Sequence, residues 1–262
     1  MTKQNFLPFL MLYYKELRRF NKVFIQTVLT PLITSSLYLL IFGISLGKNI
    51  NLLNNIPYLA FIIPGLVMMG VLNNAYQNSS TSIISGKFSG DLQDLRVTPL
   101  SNHQIIWALA LGGLTRGLLV GTITFFVGQI FYFVNYGSMI QVQNYLILFV
   151  FMIIGGLSFA MFGLSVAFWA KTFDQLSAVG SFILTPLIYL GGVFFSLENL
   201  HPFWQGLSKF NPLLYFINGV RYGILGQTDV TLWLALGVSF ASLTVIYIIA
   251  WHSLKKSNFT RW

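Results

Sequence analysis

The sequence contains no cysteine, only six acidic residues and few charged residues of any kind. Without cysteine, disulfides, thiolate nucleophiles and cysteine-ligated metals are excluded. Charged residues make up 8% of the 262 residues, whereas an ordinary soluble domain has about 25%. Hydrophobic residues make up 55%, and the mean hydropathy is +0.72. These few charged side chains could not cover the surface of a soluble protein of this size. The composition therefore excludes a soluble enzyme, a nucleic-acid-binding protein and a disordered scaffold.

Six stretches are apolar for long enough to cross a bilayer, which takes about 20 helical residues. They are residues 23–46, 57–82, 104–134, 144–170, 176–195 and 230–254. No internal repeat or linker divides the chain. We therefore predict a single all-α integral membrane domain over residues 1–262, with six transmembrane helices.

The Lys and Arg residues are distributed unevenly between the segments that join these spans. Eleven of the 15 fall in the two termini and in the connections that follow the second and fourth spans. Cytoplasmic segments of membrane proteins carry the excess of Lys and Arg. We therefore predict a multi-pass protein of the cell inner (cytoplasmic) membrane, with both termini in the cytoplasm, in contact with lipid and with no nucleic acid.

The segment before the first span, within residues 1–22, has the pattern of a basic amphipathic helix. At 100° per residue its apolar and basic side chains separate onto two faces, the first with Phe6, Leu10, Tyr13, Leu17 and Phe20, the second with Lys15, Arg18, Arg19 and Lys22. Such a helix lies in the headgroup plane with its apolar face in lipid. A cytosolic helix packed on this protein is the alternative. We favour the interface helix, because no other cytosolic part of the chain is large enough to pack against it.

The connection after the second span contains a short predicted helix. Ser89 can cap its start, and Thr98-Pro99 ends it because the residue before proline avoids the α region. Phe88, Leu92 and Leu95 share one face of this helix. We interpret that face as a surface for a partner protein, and a solvated loop is the alternative.

The segment after the fifth span is aromatic and too interrupted to cross a bilayer. Pro202 begins one short helix, and Asn211-Pro212 begins a second, which Gly226 is placed to end. Leu213, Ile217, Val220 and Ile224 form a stripe on the second helix. The sequence predicts two short helices that dip into the outer leaflet.

No group of residues in the sequence has the spacing of a catalytic, cofactor or metal site. The acidic residues lie outside the apolar spans, and the three histidines have no ligand-like spacing. A phosphate-binding loop needs G-x-x-x-x-G-K-[ST], which neither Gly47-Lys48 nor Gly86-Lys87 satisfies. We predict that this chain is not an enzyme and holds no cofactor, so that any ATPase is a separate chain.

The third predicted span contains a repeated glycine and one charged residue. Gly113, Gly117 and Gly121 recur every four residues, the spacing that lets two membrane helices approach closely. Arg116 lies among them, and an ionisable residue inside a span is a functional candidate. The span is longer than the bilayer is thick, however. We therefore favour a structural interpretation, in which Arg116 reaches the inner interface, over a contact with substrate.

The second half of the second span is unusually polar, with Asn73, Asn74, Gln77 and Asn78 close together. Amides at this position could line an aqueous entrance or form hydrogen bonds across a subunit interface. A solvated helix end is the alternative, and the residues alone leave these interpretations open.

Two stretches of the sequence carry a resemblance to a known family. One runs from Pro186 through Gly191-Gly192 to Leu200 and continues with Asn211-Pro212-Leu213 and Gly219-Val220-Arg221-Tyr222. The other is Asp91-Leu92-Gln93-Asp94-Leu95-Arg96-Val97-Thr98-Pro99, followed by Gly112-Gly113 and Arg116-Gly117. In order, spacing and topology the chain resembles the permease subunits of ABC transporters of the type-2 exporter family over nearly its full length.

The resemblance implies a permease that forms a translocation path as a homodimer or heterodimer and binds two separate ATPase subunits, which hold ATP and Mg. It implies a coupling helix at residues 91–97 that contacts the ATPase through Phe88, Asp91, Leu92, Asp94, Leu95 and Arg96. It also implies outer re-entrant helices in the segment that contains Glu198, Asn211, Pro212 and Arg221.

ATP-driven export through two permeases is therefore the leading hypothesis, and its direction follows from the resemblance alone. A secondary, ion-coupled transporter is the main alternative, but it predicts internal repeats and ionisable residues for ion coupling at the midplane, which the sequence lacks. Another polytopic membrane protein without an ATPase partner is a further alternative. The short loops and the aromatic outer segment favour an amphiphilic substrate.

Overall fold

The computed structural model describes residues 3–47 and 56–257, and within them the side chains of residues 7–47, 56–95 and 97–257. Throughout these ranges the regular structure is helical. The side chains of Phe6 and Arg96, and the residues Lys48 and Arg261, lie outside the described part of the chain.

Six of the helical segments are long and apolar enough to cross a membrane, as predicted. In chain order the helices are α1 (Lys3–Asn21), α2 (Phe24–Tyr38), α3 (Tyr58–Ser89), α4 (Asp91–Val97), α5 (Asn102–Tyr136), α6 (Tyr145–Trp169), α7 (Phe173–Val179), α8 (Thr185–Leu190), α9 (Pro202–Lys209), α10 (Pro212–Leu225) and α11 (Leu232–Lys256). Span 1 is α2 with its π-helical continuation, and span 5 is α7 and α8 with a π-helical segment between them. The chain is an all-α membrane protein, and α3, α5, α6 and α11 are its other spans.

Two span boundaries differ from the predicted ones. α3 continues past Ser82 to Ser89, and Ile83, Ile84 and Lys87 of this extension are buried in the bundle. Span 5 ends at Leu190 and not at residue 195. Two glycines follow it, and Gly192 has a φ of 83°, a conformation that side-chain-bearing residues rarely adopt.

α3 is the centre of the bundle and packs along its length against α5, α6 and α10. The glycine repeat of α5 faces it. A Cβ atom added to Gly117 would lie 2.7 Å from the main-chain oxygen of Val71, and one added to Gly121 would meet the Val71 side chain. Gly113 likewise faces Ala75 and Ser79. Hydrogen atoms in place of side chains therefore let the two backbones come into direct contact.

α1 precedes span 1, as predicted, but it packs against α5 within this chain. Its Glu16 side chain is 2% exposed. Glu16 accepts a hydrogen bond of 2.6 Å from the Ser82 hydroxyl and pairs with Arg19 at 2.9 Å. Arg19 also donates to the main-chain oxygen of Asn78 at 2.6 Å. The expectation that no other cytosolic part of the chain is large enough to pack against this helix missed the ends of α3 and α5, which α1 contacts.

The two faces of α1 are also rotated from the predicted ones. Phe20, predicted to face lipid, is buried within the protein, and Arg19, predicted on the solvated face, reaches α3. A different apolar stripe remains exposed, made of Leu7, Leu10, Met11 and Tyr14. α1 therefore has one side on the protein and a second apolar side that is free.

The bundle has two ends, which we name by their helices: the α4 end, where α1 and α4 lie, and the α10 end, where α9 and α10 lie. α10 begins and ends where the sequence predicts, with an Asn211 cap and with Gly226 at a φ of 73°. The predicted apolar stripe of α10 is buried, and so is most of the remaining helix, because α3, α6 and α11 surround it. α9 is shorter and exposes Phe203, Trp204 and Leu207.

Candidate functional site

A cleft of about 600 Å³ lies between span 1, α3 and span 5, with side chains of α5 in its wall. Most residues that line it carry hydroxyl or amide groups: Gln26, Thr27, Thr30, Thr34, Ser35, Tyr38, Asn73, Asn74, Tyr76, Gln77, Ser80, Thr81, Thr124, Ser177, Ser181 and Thr185. Polar groups without partners are costly in hydrocarbon, so membrane helices place them toward protein or water-filled cavities. The cleft is a polar surface between membrane helices.

Helical periodicity gives each wall its polar row. In α2, Thr27, Thr30 and Thr34 recur at three- and four-residue spacing on the side that lines the cleft. The Thr34 hydroxyl donates to the main-chain oxygen of Thr30 at 2.9 Å, which keeps the group satisfied within its own helix. The rows in span 1 and span 5 were missed in the sequence analysis, although this spacing was the signal that could have revealed them.

Arg116 of α5 lines the cleft together with Asn73, Asn74 and Gln77, which the sequence singled out. Asn78 does not join them. It is fully buried on another face of α3, and its side-chain amide has no hydrogen-bond partner among the described residues. The structure therefore brings four of these five polar candidates to one surface.

The cleft wall carries one charge, because Arg116 is the sole Lys, Arg, Asp or Glu among the described residues that line it. Its guanidinium Nε is buried and has no hydrogen-bond partner within the described part of the chain. All six acidic residues are described, and none of them lines the cleft. Arg116 is thus a cation in a neutral, polar wall.

Both helices that flank the cleft depart from α-helical geometry. Span 1 is π-helical over Leu39–Leu46, and span 5 over Gly180–Leu184. In span 5 the Thr185 hydroxyl, which faces the cleft, donates to the main-chain oxygen of Gly180 at 3.1 Å. Short π-helical segments are rare and occur frequently at functional sites. The π-helical part of span 5 therefore lies in the cleft wall, whereas that of span 1 begins where the cleft lining ends, at Tyr38.

The spans that flank the cleft are among the less buried ones, together with α11. Of the most apolar 18-residue window in each helix, 78% is buried in α3, but only 22% in span 1 and 17% in span 5. Their outward faces are apolar, with exposed Leu29, Ile33, Leu37, Phe182 and Ile183. The cleft is therefore flanked by helices whose outer faces contact lipid or another protein.

α4 at the α4 end is oriented differently from the sequence prediction. Leu92 is 3% exposed, and Leu95 packs against the core of this chain. The Leu92 side chain therefore does not face outward as predicted, because α1, α3 and α5 lie around it, whereas Leu95 is half-buried at the edge of the same contact. Phe88, Asp91, Asp94 and Val97 are exposed instead, and the Arg96 side chain lies outside the described residues.

The link between α3 and α4 is a glycine and not the predicted Ser89 cap. Gly90 has a φ of 89° and serves as both the last cap of α3 and the first cap of α4. Its left-handed conformation turns the chain sharply, which favours glycine at this position. Thr98 is extended before Pro99 and ends α4 as predicted.

Next to this turn, the end of α3 is bonded to the junction between α6 and span 5. The Lys87 ammonium donates to the main-chain oxygens of Ala167, Phe168 and Ala170 at 2.8, 2.9 and 2.9 Å. It thereby satisfies carbonyls that the end of α6 leaves without helical partners. The Phe88 ring stacks on Phe173, the first residue of α7, with centroids 5.4 Å apart. The α3–α4 turn is therefore connected through Lys87 and Phe88 to the junction before span 5 and to Phe173 in the cleft wall.

The α10 end is held by a second buried arginine. Arg221 is 2% exposed, donates to the main-chain oxygen of Gly192 at 2.6 Å and pairs with Asp229 at 3.4 Å. Its guanidinium also lies 3.9 Å from the centre of the Phe61 ring. Asn211 donates to Leu187 at 2.6 Å. These contacts join α10 to α3 and to the end of span 5.

Glu198 and Pro212 complete the residues predicted at this end. Pro212 is the first residue of α10, where a missing N–H costs no helical bond. Glu198 lies in the short 3₁₀ turn Leu197–Asn199 and is exposed. Arg221 and Asn211 are thus bonded within the fold, whereas Glu198 is at the surface.

Comparison with known proteins identifies the family to which this chain belongs. Residues 8–225 match the family model of the ABC-2 type transporter. The chain is 40% identical over 247 residues to the inner membrane transport permease YadH of Escherichia coli K12, with 94% of each protein covered. The chain belongs to the ABC-2 type transporter family.

More distant relatives agree with this assignment. Nodulation protein J of Rhizobium leguminosarum bv. viciae is 22% identical over 90% of this chain and 89% of its own length. The probable multidrug ABC transporter permease YbhR of Escherichia coli K12 is 29% identical over 76% of this chain and half of its own length.

As a member of this family the chain is the membrane permease subunit of an ABC transporter, and a secondary transporter is not favoured. The family is one of transport permeases and not of known enzymes. The residues predicted to couple to an ATPase lie at the α4 end, and those predicted to form outer re-entrant helices lie at the α10 end. Of the residues predicted for a path or interface, Asn73, Asn74, Gln77 and Arg116 lie in the cleft.

Proposed function

We propose that this permease exports its substrate through a path formed by two permease copies, each contributing the cleft between span 1 and span 5, and that two separate ATPase subunits bound at the α4 end drive it. The observation that carries the proposal is the polar, Arg116-containing cleft between two sparsely buried spans that each contain a π-helical segment. A path for a hydrophilic group needs such a surface, and the helices that border it must be able to move.

The apolar outer faces of spans 1 and 5 support a pairing of two permeases. A second copy that packs on them would cover apolar side chains and enclose two clefts in one path. The distribution of Lys and Arg supports the orientation, because the α4 end carries the basic excess typical of cytoplasmic segments. ATP is available at that side only.

The exposed side of α4 is the proposed docking surface for the ATPase. Asp91 and Asp94 supply charge, and Phe88 and Val97 supply apolar area, with Val97 85% exposed. Leu92 has a different role, because its buried side chain fixes α4 to its own chain. A force on α4 is therefore transmitted to the bundle without an intervening flexible loop.

The contacts of Lys87 and Phe88 supply a route from α4 to the cleft. Both residues precede α4. Phe88 stacks on Phe173, the first residue of span 5. Lys87 is bonded to the end of α6 and to Ala170, just before span 5. Movement of α4 would therefore shift span 5 against span 1. This assigns the α3–α4 turn the role of coupling ATP hydrolysis to opening of the cleft.

Charge reversal on the exposed side of α4 tests the docking surface. The Asp94→Arg variant is expected to insert and fold normally, because the side chain is exposed, and to lose the co-purified ATPase. Glu198→Arg is the matched control, since it makes the same change at an exposed site at the α10 end. If the Asp94→Arg and Glu198→Arg variants retain equal amounts of ATPase, the ATPase docks elsewhere.

A second experiment tests the path. The chain has no cysteine, so single cysteines report directly. Thr30→Cys in the cleft should react with a water-soluble maleimide, whereas Val245→Cys, which is exposed on the outer face of α11, should not. Trapping the ATPase with vanadate should change the Thr30→Cys rate if the cleft opens and closes. Equal, unchanging reaction at both positions would exclude the cleft as a path.

A further inference from the structure

We propose that the cleft binds an anionic oxygen group, phosphate or carboxylate, carried by a hydroxyl-bearing headgroup, and that Arg116 is the residue that recognises it. This inference rests on the proposed function, because it treats the cleft as the substrate path. It assigns the substrate a charge and a class of hydrogen-bonding groups.

The first step concerns the charge of Arg116. A guanidinium away from bulk water is costly unless another group compensates it. The described acids do not compensate it, because the two most buried ones are already bonded elsewhere: Glu16 to Arg19 and Ser82, and Asp229 to Arg221 and Ser196. Arg19 reaches the edge of the cleft at Thr81, but Glu16 neutralises it. Arg116 is therefore left for a ligand.

The second step concerns the chemistry that a guanidinium selects. Its planar fork donates two parallel N–H bonds and matches the oxygens of a phosphate or a carboxylate. A cationic ligand would be repelled, since the cleft wall has no described acid to attract it. A neutral apolar ligand would leave both the guanidinium and the polar rows without partners.

The third step concerns the rest of the wall. Hydroxyl and amide groups from span 1, α3 and span 5 can donate and accept, as the hydroxyls of a sugar or glycerol unit do. A volume of about 600 Å³ lies within the range of small-molecule sites, about 300–1,000 Å³. The geometry therefore fits a hydroxylated, anionic headgroup better than a hydrophobic drug.

The anion can be lipid-borne or free, and matched probes separate these sources. The permease–ATPase complex would be reconstituted in phosphatidylcholine nanodiscs. Binding would be measured for n-dodecyl phosphate, glucose 1-phosphate, n-dodecyl maltoside and dodecyltrimethylammonium, together with their effect on ATP hydrolysis. Preference for dodecyl phosphate indicates a lipid-borne anion, and preference for glucose 1-phosphate a soluble one. Failure of both anions to bind more tightly than the maltoside and the ammonium compound overturns the proposal.

Variants at Arg116 identify the recognising residue. Arg116→Gln should weaken binding of the preferred anion about tenfold or more, since hydrogen bonds to charged groups contribute about 1.5–3 kcal/mol. Arg116→Lys keeps the positive charge but loses the two parallel N–H donors of the guanidinium, so its affinity for the anion should fall less than that of Arg116→Gln. Dodecyl maltoside binding should not change. Thr122→Gln, on the exposed side of the same helix, is the control.

The outcome is separable from that of the proposed function. Co-purification of the ATPase and basal ATP hydrolysis are measured on the same samples. If the complex assembles and hydrolyses ATP, but Arg116→Gln binds the anion as the unchanged protein does, the recognition by Arg116 is wrong while the proposed function stands. If no ATPase binds the unchanged permease, the proposed function itself is wrong.

Discussion

Arg221 and Arg116 both lie among membrane helices, but the chain surrounds them with different groups. Arg221 has a carboxylate, a main-chain carbonyl and an aromatic ring as partners, with Asp229 at 3.4 Å and the Gly192 oxygen at 2.6 Å. Arg116 has no hydrogen-bond partner among the described residues and faces a cleft. The first charge is compensated by the fold, and the second is left to whatever enters the cleft.

A similar difference separates the tightly packed helices of the bundle from the two spans that flank the cleft. α3, α5, α6 and α10 close on one another through glycine contacts and buried side chains, whereas spans 1 and 5 leave most of their surface uncovered. A transporter needs both kinds of region, because the path must move while the remaining fold stays intact. Substitutions on the packed side should therefore cost stability, and substitutions in the cleft should cost function.

The largest loss of stability is expected for Arg221→Gln. Removal of one partner from a buried ion pair leaves the other charge uncompensated and costs about 3–5 kcal/mol. The purified variant should unfold at a lower temperature than the unchanged protein, and purification should yield less monodisperse protein. Lys209→Gln, at an exposed site of the same end, should unfold as the unchanged protein does. Equal stability of the Arg221→Gln variant would show that the packed side does not depend on this pair.

Lys87→Met should cost less, about 1–3 kcal/mol. Methionine keeps much of the side-chain volume but leaves three main-chain oxygens at the end of α6 without their donor. The same variant should reduce transport-linked ATP hydrolysis, because the junction between α6 and span 5 loses its bonds to the end of α3. Lys256→Met, at an exposed position, controls for loss of charge. Unchanged unfolding in both variants would remove Lys87 from the packed side.

Gly117→Ala should cost about 1–3 kcal/mol through overpacking, near the lower end if the helices can separate slightly. The added Cβ would lie 2.7 Å from the Val71 main-chain oxygen, and a backbone atom cannot move aside as a flexible side chain can. Gly237→Ala is the control, since a Cβ there meets no atom within 4 Å. Alanine has a higher α-helix propensity than glycine, so the Gly237→Ala change should be neutral or stabilising. Similar results at both positions would mean that α3 and α5 are not in backbone contact.

Much of the fold was predictable because membrane spans and helix ends depend on local sequence. Six apolar stretches, the Asn211 cap and the Gly226 stop needed no knowledge of distant residues. The orientation of α4 was not predictable in this way. Leu92 and Leu95 form an apolar face in either case, and only the positions of α1 and α5 decide that this face turns inward.

The candidate site was predictable only in part. The amides of α3 and Arg116 stood out, because polar groups are rare in apolar spans. The threonine and serine rows of spans 1 and 5 did not, since hydroxyls can bond to their own helix and occur on many faces. That Arg221 is paired whereas Arg116 is not depends on Asp229 and Gly192, which tertiary packing alone brings to Arg221.

The smallest effect on stability is expected for Arg116→Gln, which makes the same substitution as Arg221→Gln in the contrasting surroundings. No hydrogen bond within the described chain is lost, and an uncompensated charge is removed, so the free energy of unfolding should change by about 0.5 kcal/mol or less, or increase. Both variants would be unfolded side by side in the same detergent. If Arg116→Gln unfolds as early as Arg221→Gln, then Arg116 also holds the fold together. The free cation on which recognition of an anion depends would then be absent from the cleft.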